Sequence, residues 1–252
     1  MIVACSTLCF SHMPLDEALR RMRDLHFAKA DLAIHAAGPH LTPAEVAADV
    51  SKIAVRLKAA NMPIAAFHLD FGDAPDDVAR EQFQAIARLA RLMAVPVLTI
   101  GAAPRGTEPT AEYARLADLV GLATREGLIL TLETRTGTMT EEPVAALELC
   151  RAVPGLGLAL DPSHWLSAAA AKDDEAPFRY VKHVRLRDSS RKPNEFQVRV
   201  GQGEVEFGKI HGQLERSKYD RTLTVDVRDV PNSPFPVEPE VRKLKFLLES
   251  MA

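Results

Sequence analysis

The chain has 252 residues, of which 47% are hydrophobic and 26% charged, and its formal net charge is −3. A sequence with this much apolar material can bury a sizeable core, which excludes intrinsic disorder as the default state. The slightly acidic balance argues against general nucleic-acid binding and membrane-surface binding, because both usually require a basic excess. A small-molecule partner is therefore expected.

Cysteine usage and the first residues indicate the compartment. Cys5, Cys9 and Cys150 are too few and too scattered for a disulfide framework or a metal knuckle, so reduced thiols are expected. The start, MIVACSTLCF, lacks the basic region of a signal peptide and reads as a first strand. No apolar run approaches the roughly 20 residues of a membrane span. The sequence thus predicts a cytoplasmic protein with no membrane partner.

Strand-like and helix-like segments alternate along the chain. The first amphipathic segment repeats apolar residues at helical spacing from Leu15 to Leu25. Thr42 and Glu45 have the spacing of a capping box, and Thr138 and Glu141 repeat it before the helix expected after strand five. The eight apolar runs that we read as strands lie at 2–5, 31–34, 63–67, 96–100, 128–132, 156–160, 181–186 and 222–227.

Eight strands alternating with helices predict parallel pairing with crossover helices. The fold class is therefore α/β, and a closed (β/α)8 TIM barrel explains the count and leaves no unpaired edge. An open doubly wound sheet is the alternative, but the first strand-helix turn lacks the glycine fingerprint of a dinucleotide site. Residues 1–252 are expected to form a single barrel domain. The long connection at 189–208 is expected to be functional.

Polar side chains end several of the later strands, where a barrel places its active site. Glu133 ends strand five, and Asp161 ends strand six with His164 three residues beyond. Period-two alternation puts His183, Arg185 and Arg187 on one face of strand seven, and Thr224, Asp226 and Arg228 on one face of strand eight. Leucines and valines lie between them, which predicts that the polar set points inward. Three converging carboxylates require a metal ion or a basic side chain among them.

Each residue also has a structural interpretation. A single strand-end carboxylate is usually a helix cap or a surface ion-pair partner, and the coincidence on consecutive strands is what favours a site. His68 is balanced between a site residue and a core histidine, whereas Trp165 is expected to wall a pocket. The remaining histidines outside the strand-seven set are expected to be surface or structural: His12, His26, His35, His40 and His211.

Five stretches carry a resemblance to a known family: "LTLET", "VPGLGLALDPSHW", "HVRLRD", "VGQGEVEFGKIHGQL" and, after it, "LTVDV". They resemble the sugar phosphate isomerase/epimerase superfamily, the xylose isomerase-like TIM barrels. The resemblance implies a divalent metal (Mn²⁺, Mg²⁺, Co²⁺ or Zn²⁺) and a small sugar or anionic substrate. A homodimer is a further suggestion of the resemblance. It implies Glu133, Asp161 and Asp226 as metal ligands, Glu133 and Asp226 as acid/base groups, and His164 as a substrate contact.

Three positions depart from the family pattern. Arg185 stands where the strand-seven histidine ligand is expected, Asp226 replaces a glutamate, and Arg135 replaces a histidine or asparagine. A guanidinium cannot ligate a metal and stays charged, so Arg185 is expected to neutralise the carboxylates and to act in catalysis as a fixed cation. The substrate-binding set predicted from the sequence is His164, His68, Arg135, Arg187 and Trp165.

Three functions follow from this sequence. The first is proton transfer in an isomerase or epimerase, where a carboxylate removes a proton and a metal or Arg185 stabilises the resulting oxyanion. The second is a ligand-binding relative without chemistry, in which a salt-bridge cluster replaces the metal. The third is metal-dependent dehydratase or hydrolase chemistry, including the related abasic-site endonucleases, although no basic face for nucleic acid is visible.

Overall fold

The eight predicted strands form one closed, fully parallel barrel in the order β1 to β8, as seen in a computed structural model that describes residues 1–166, 175–192 and 195–251. Each strand pairs with the next one along the chain, and β8 pairs with β1, for example Leu223 with Val3. The (β/α)8 prediction is confirmed. The strands are β1 (Ile2–Ser6), β2 (Lys29–His35), β3 (Ile64–Asp70), β4 (Val97–Ile100), β5 (Ile129–Glu133), β6 (Gly157–Leu160), β7 (Val181–Leu186) and β8 (Thr222–Val225).

Eight α-helices among the described residues surround the barrel. Three short 3-10 helices accompany the strands: one after β1 (Thr7–Phe10), one after β6 (Pro162–Trp165) and one before β7 (Pro177–Tyr180). None of the described helices is long and apolar enough to cross a membrane. The α-helices are α1 (Leu15–Asp24), α2 (Pro43–Ala48), α3 (Val50–Ala59), α4 (Asp76–Leu92), α5 (Pro109–Arg125), α6 (Pro143–Ala152), α7 (Phe207–Arg216) and α8 (Val237–Met251).

The two expected capping boxes have different outcomes. Thr42 and Glu45 form a complete box at the start of α2. The Thr138–Glu141 box is wrong, because α6 begins at Pro143 and its N-cap residue makes no side-chain cap. Glu141 accepts a hydrogen bond from the Gly137 amide at 3.0 Å, and the Thr138 hydroxyl donates to the Arg135 carbonyl at 2.7 Å. These two residues therefore hold the β5–α6 loop.

The alternation predicted for the late strands is confirmed. The intervening residues all pack in the apolar core between barrel and helices, where they are at most 2% exposed. The polar residues consequently point into the barrel, at the carboxyl ends of the strands. The apolar set comprises Leu132, Leu160, Val184, Leu186, Val225 and Val227.

Candidate active site

A buried cluster of ion pairs fills the upper interior of the barrel. Four carboxylates and three guanidiniums meet there, together with four imidazoles. Apart from Arg228, whose side chain is 22% exposed, the charged members are at most 2% exposed. The carboxylates are Asp31, Glu133, Asp161 and Asp226, the guanidiniums are Arg185, Arg187 and Arg228, and the imidazoles are His35, His68, His164 and His183.

Arg185 lies at the bottom of the cluster and joins opposite sides of the barrel. Its Nη1 is 3.0 Å from Asp31 Oδ2, and its Nη2 is 2.9 Å from Asp226 Oδ1. Glu133 Oε1 is 4.0 Å from its Nε. His183 donates from Nε2 to the same Asp31 oxygen at 2.8 Å. Of the three carboxylates that the sequence assigned to Arg185, Asp226 and Glu133 are its partners, whereas Asp161 pairs with Arg187, and Asp31 was not foreseen.

Arg187 lies one layer higher, between the segments that follow β6 and β8. Its Nη1 is 2.7 Å from Asp161 Oδ2 and 3.2 Å from Asp226 Oδ2. Its Nη2 donates to His164 Nε2 at 3.0 Å, and the ring of Phe196 covers the guanidinium at 4.0 Å. Arg187 is therefore fully enclosed by two carboxylates, an imidazole and an aromatic ring.

Arg228 connects this cluster to the open mouth of the barrel. Its Nε is 3.2 Å from Asp226 Oδ2, and its Nη2 is 3.4 Å from Glu133 Oε1. The side-chain amide of Gln197 brackets its backbone, accepting from the Arg228 amide at 2.8 Å and donating to the Arg228 carbonyl at 2.6 Å. The β7–α7 loop thus fixes the backbone position of this cation.

The β7–α7 loop is itself built around the Asp188 carboxylate. This carboxylate accepts hydrogen bonds from the backbone amides of Ser189, Gly201, Gly203 and Val205 at 2.7 to 3.4 Å. A Cβ at Gly203 would lie 2.0 Å from Asp188 Oδ1, so only glycine permits this approach. Residues 193–194 of the predicted loop lie outside the described part of the chain.

Glu133 also ends a chain of imidazoles that runs across β3 and β2. His68 Nε2 lies 3.2 Å from Glu133 Oε1, and His68 Nδ1 lies 2.9 Å from His35 Nε2. Since an ionised carboxylate can only accept, His68 donates to Glu133 and its ring orientation is fixed from both sides.

Fixed positive charge keeps the carboxylates ionised. Burial alone would raise the pKa of Glu133, but His68, Arg228 and Arg185 outweigh it and hold that pKa well below its usual range. Burial would likewise raise the pKa of Asp226, but Arg185, Arg228 and Arg187 outweigh it and lower that pKa. Both side chains are therefore anionic at neutral pH.

The imidazoles respond in the opposite direction. Burial, reinforced by His68 and Arg185, lowers the pKa of His35 to about 2. Burial and the adjacent Arg187 lower the pKa of His164, although Asp161 opposes them. Arg187 can only donate, so its 3.0 Å contact uses a lone pair on His164 Nε2, while His164 Nδ1 faces the Thr136 amide at 3.3 Å and the Thr136 hydroxyl at 3.2 Å.

A cavity of about 920 Å³ opens above one side of the cluster. It is lined mainly by the loops after β3, β4 and β8 and by residues of α4 and α5, and Glu133, His68, His35, Arg228 and Arg135 reach it. Glu133 is the member of the four-carboxylate set that lines it. This volume is suitable for a small organic molecule.

The predicted site residues divide into three groups. Glu133, His68 and Arg135 line the cavity. Trp165 lies in a different, smaller pocket of about 110 Å³ beside α6 and α7, and its Nε1 donates to the Thr140 carbonyl at 3.0 Å. The remaining predicted residues belong to the buried cluster and do not line the cavity, namely Asp161, His164, Arg185, Arg187 and Asp226.

The cluster does not fit a divalent metal. Glu133, Asp161 and Asp226, the implied ligands, are each paired with a guanidinium. Within residues 1–166, 175–192 and 195–251, no group of three or more His, Cys, Asp and Glu side chains is arranged to hold a metal ion. Arginine side chains occupy the space between the carboxylates, and a guanidinium has no lone pair to offer a metal.

Sequence reasoning gave no site role to four members of the cluster. His183 was placed on the inward face of β7 without a role. Asp31 and His35 lie on the inward face of β2 with Ala33, so period-two alternation would have found them. His35 was grouped with the surface or structural histidines, and the structure places it in the cavity wall in contact with His68. Arg228 was placed on the correct face but given no role.

Comparison with known protein families gives a match over most of the chain. The sequence model described as "Xylose isomerase-like TIM barrel" matches residues 19–248. No curated protein sequence matches.

Solved structures resemble the whole barrel at low identity. A probable 3-DHS dehydratase, AsbF, involved in petrobactin synthesis in Bacillus anthracis, is 16% identical, with a TM-score of 0.74 and 99% of each chain covered. A D-allulose 3-epimerase from Methylomonas sp. is 15% identical, with a TM-score of 0.75, and 99% of this chain and 97% of that chain are covered. An IolI protein described with a binding zinc atom is 14% identical, with a TM-score of 0.76, and 100% of this chain and 98% of that chain are covered. At these identities the likeness shows the fold.

Proposed function

Because the chain belongs to the xylose isomerase-like TIM barrel family, we propose that it is an isomerase that transfers a proton between adjacent carbons of a small polyhydroxylated substrate in the 920 Å³ cavity. One observation carries the proposal. Glu133 lines the cavity and lies 3.4 Å from the Arg228 guanidinium, which also lines it. An anionic base and a fixed cation thus lie side by side at the same surface.

The reaction needs one base and one cation. Glu133, ionised at neutral pH, takes the proton from the carbon next to the substrate carbonyl. The C–H electrons form the enediolate double bond, and the carbonyl electrons move to oxygen, where Arg228 stabilises the charge. The hydroxyl proton on the deprotonated carbon passes to the charged oxygen of the enediolate, which moves the negative charge to the second oxygen. Protonated Glu133 then returns its proton to the former carbonyl carbon, so that a carbonyl forms at the second carbon, the carboxylate is restored and the isomerisation is complete.

The lowered pKa of Glu133 makes this cation necessary. A carboxylate of low basicity is a weak proton acceptor, so the enediolate must be stabilised by a group placed before the reaction starts. Asp226, implied as a second acid/base group, is 0% exposed and does not line the cavity. Of the four cluster carboxylates, Glu133 is the one that lines the cavity, which favours isomerisation with one cluster base over an epimerisation that uses Glu133 and Asp226 on opposite substrate faces.

His68 and His35 are positioning residues in this proposal. The His68 Nε2–Glu133 Oε1 contact of 3.2 Å holds one carboxylate oxygen, which leaves the other oxygen for the substrate. His35 supports His68 from behind at 2.9 Å.

The cavity also favours a substrate that carries a negative group. Arg80 and Arg115 line it but are paired with Asp118 and Glu112. Arg135 lines it and has no ion pair to another described residue, which makes its guanidinium the available partner for a carboxylate or phosphate.

A second candidate function is ligand binding without chemistry. The observation that favours it is the pairing of Glu133 with both His68 and Arg228, because a carboxylate held between two partners is a poor base. The cavity would then bind the same class of molecule and release it unchanged.

Proton exchange distinguishes the two candidates. The protein is incubated in D2O with a panel of aldoses, ketoses and their phosphates and acids, and incorporation of deuterium at carbon is followed by NMR, with thermal shift recording binding. The proposal expects exchange with at least one compound, and a loss of about 10² to 10⁴-fold in Glu133→Gln. Arg228→Met should lose about 10² to 10³-fold.

Glu81→Gln, an exposed change on α4, is the matched control and should retain full exchange. Thermal stabilisation by a ligand that exchanges no proton would establish the binding function instead. Exchange that persists undiminished in Glu133→Gln would refute Glu133 as the base.

A further inference from the structure

We propose that the Arg187 guanidinium occupies a cation-binding site formed by Asp161, Asp226 and His164, and that removing this side chain leaves a set able to bind a divalent metal ion. The inference concerns the buried cluster and does not depend on the proposed isomerase activity. It assigns to Arg187 a role that sequence comparison had placed at Arg185.

Two carboxylates and one imidazole surround the Arg187 guanidinium, as ligands surround a metal cation. Asp161 Oδ2 and Asp226 Oδ2 lie 2.7 and 3.2 Å from Nη1, and His164 Nε2 lies 3.0 Å from Nη2. Two carboxylates and one imidazole are common first-row metal ligands. All three donors present lone pairs, because His164 must accept the arginine N–H.

The spacing of the donors is also close to that of a metal site. His164 Nε2 and Asp161 Oδ2 are 3.7 Å apart. Two donors about 2.1 Å from a tetrahedral zinc ion would be separated by about 3.4 Å. An adjustment of a few tenths of an ångström would therefore bring this pair to ligand spacing.

Charge explains why the natural chain holds arginine there and why its removal invites a dication. With histidines counted neutral, the four carboxylates of the cluster exceed its three guanidiniums by one charge. Loss of Arg187 leaves an excess of two negative charges in a buried space. A divalent ion would neutralise them, whereas a monovalent one would not.

Arg185 is a weaker candidate for this position. Its guanidinium contacts Asp31 and Asp226 but is not among the contacts of Asp161 or His164. Its replacement would open a site of different composition deeper in the barrel.

The test uses Arg187→Ala with Co²⁺ as the probe, since bound cobalt has a visible absorption band that depends on its ligands. The wild-type protein should show no band and no thermal shift with Co²⁺. Arg187→Ala should bind Co²⁺ at least tenfold more tightly than wild type, with a visible band and a raised melting temperature. Adding His164→Ala should weaken that binding at least tenfold.

Two controls distinguish binding at this site from a general effect of charge and from a folding defect. Arg187→Lys keeps a cation in place and should bind no Co²⁺. If Arg187→Ala does not fold alone, it is refolded with Co²⁺ or with methylguanidinium, and rescue by Co²⁺ supports the proposal. Failure of Co²⁺ to bind the folded variant, failure to rescue the unfolded one, or a band that survives loss of His164 overturns it.

Discussion

Replacement of Arg185 by methionine tests the energetics of the buried cluster. Methionine has a similar unbranched stem but no charge, so Asp31 and Asp226 lose partners at 3.0 and 2.9 Å while remaining buried. Breaking a buried ion pair from one side costs about 3–5 kcal/mol, because it leaves an uncompensated charge. Asp226 retains Arg187 and Arg228, and Asp31 retains His183. We therefore expect the free energy of unfolding to fall by about 3–5 kcal/mol in total, although two ion pairs are broken.

The loss should depend on pH in a defined direction. In the wild type the pKa values of Asp31 and Asp226 are lowered, chiefly because Arg185 overcomes the effect of burial. Their pairing therefore stabilises the fold above the unfolded-state pKa of about 4 and is lost as the pH falls through the folded-state values. In Arg185→Met burial is less opposed, so these pKa values rise and acid relieves the penalty. The stability difference between the two proteins should shrink from pH 7.5 to pH 4.5.

Urea denaturation at the two pH values measures this difference directly. Arg20→Met, at an exposed position on α1, is the matched control and should leave the free energy of unfolding nearly unchanged at both. A loss under about 1 kcal/mol for Arg185→Met at pH 7.5, or one that does not change with pH, would refute this account of the cluster.

Two further predictions concern the loop and the whole cluster. Gly203→Ala would place a Cβ 2.0 Å from Asp188 Oδ1 and should lower the free energy of unfolding by about 1–3 kcal/mol. Gly208→Ala on α7, where a Cβ meets nothing within 4 Å, should cause no such loss. Equal effects of the two substitutions would contradict the packing argument. The wild-type free energy of unfolding should fall steadily below about pH 5, because the carboxylates with lowered pKa, Glu133 among them, must be protonated on unfolding; a flat profile between pH 7 and pH 3 would disagree.

The sequence was most informative where a strand is buried on both sides. Along β7 and β8 a charged residue at every second position cannot face the apolar helices, so Arg185 and Arg187 had to point inward. Strand-end position was also enough to place Glu133 and Asp161 in the buried cluster. These inferences need only period-two geometry and the rule that a barrel opens at its carboxyl ends.

The pairing within the cluster could not be read in the same way. Which guanidinium lies between Asp161 and Asp226 depends on the relative height of strands, and register shifts interrupt both the β6–β7 and the β2–β3 pairing. Arg187 therefore makes the contact with Asp161 that the sequence had assigned to Arg185. The Trp165 position depends on how the segment after β6 turns towards α6, which strand periodicity does not determine.

The partners of Arg185 also constrain how the chain can assemble. Arg185 lies on β7, Asp31 on β2 and Asp226 directly after β8, so their side chains meet only when β8 has paired with β1 and the ring is complete. An assembly intermediate that lacks β8 would leave Arg185 without Asp226 and the interior of the barrel open to water, so the buried ion pairs form only when the last strand is in place. Ring closure and charge neutralisation are thus one cooperative event, and a half barrel cut from this chain should not persist as an independent folding unit.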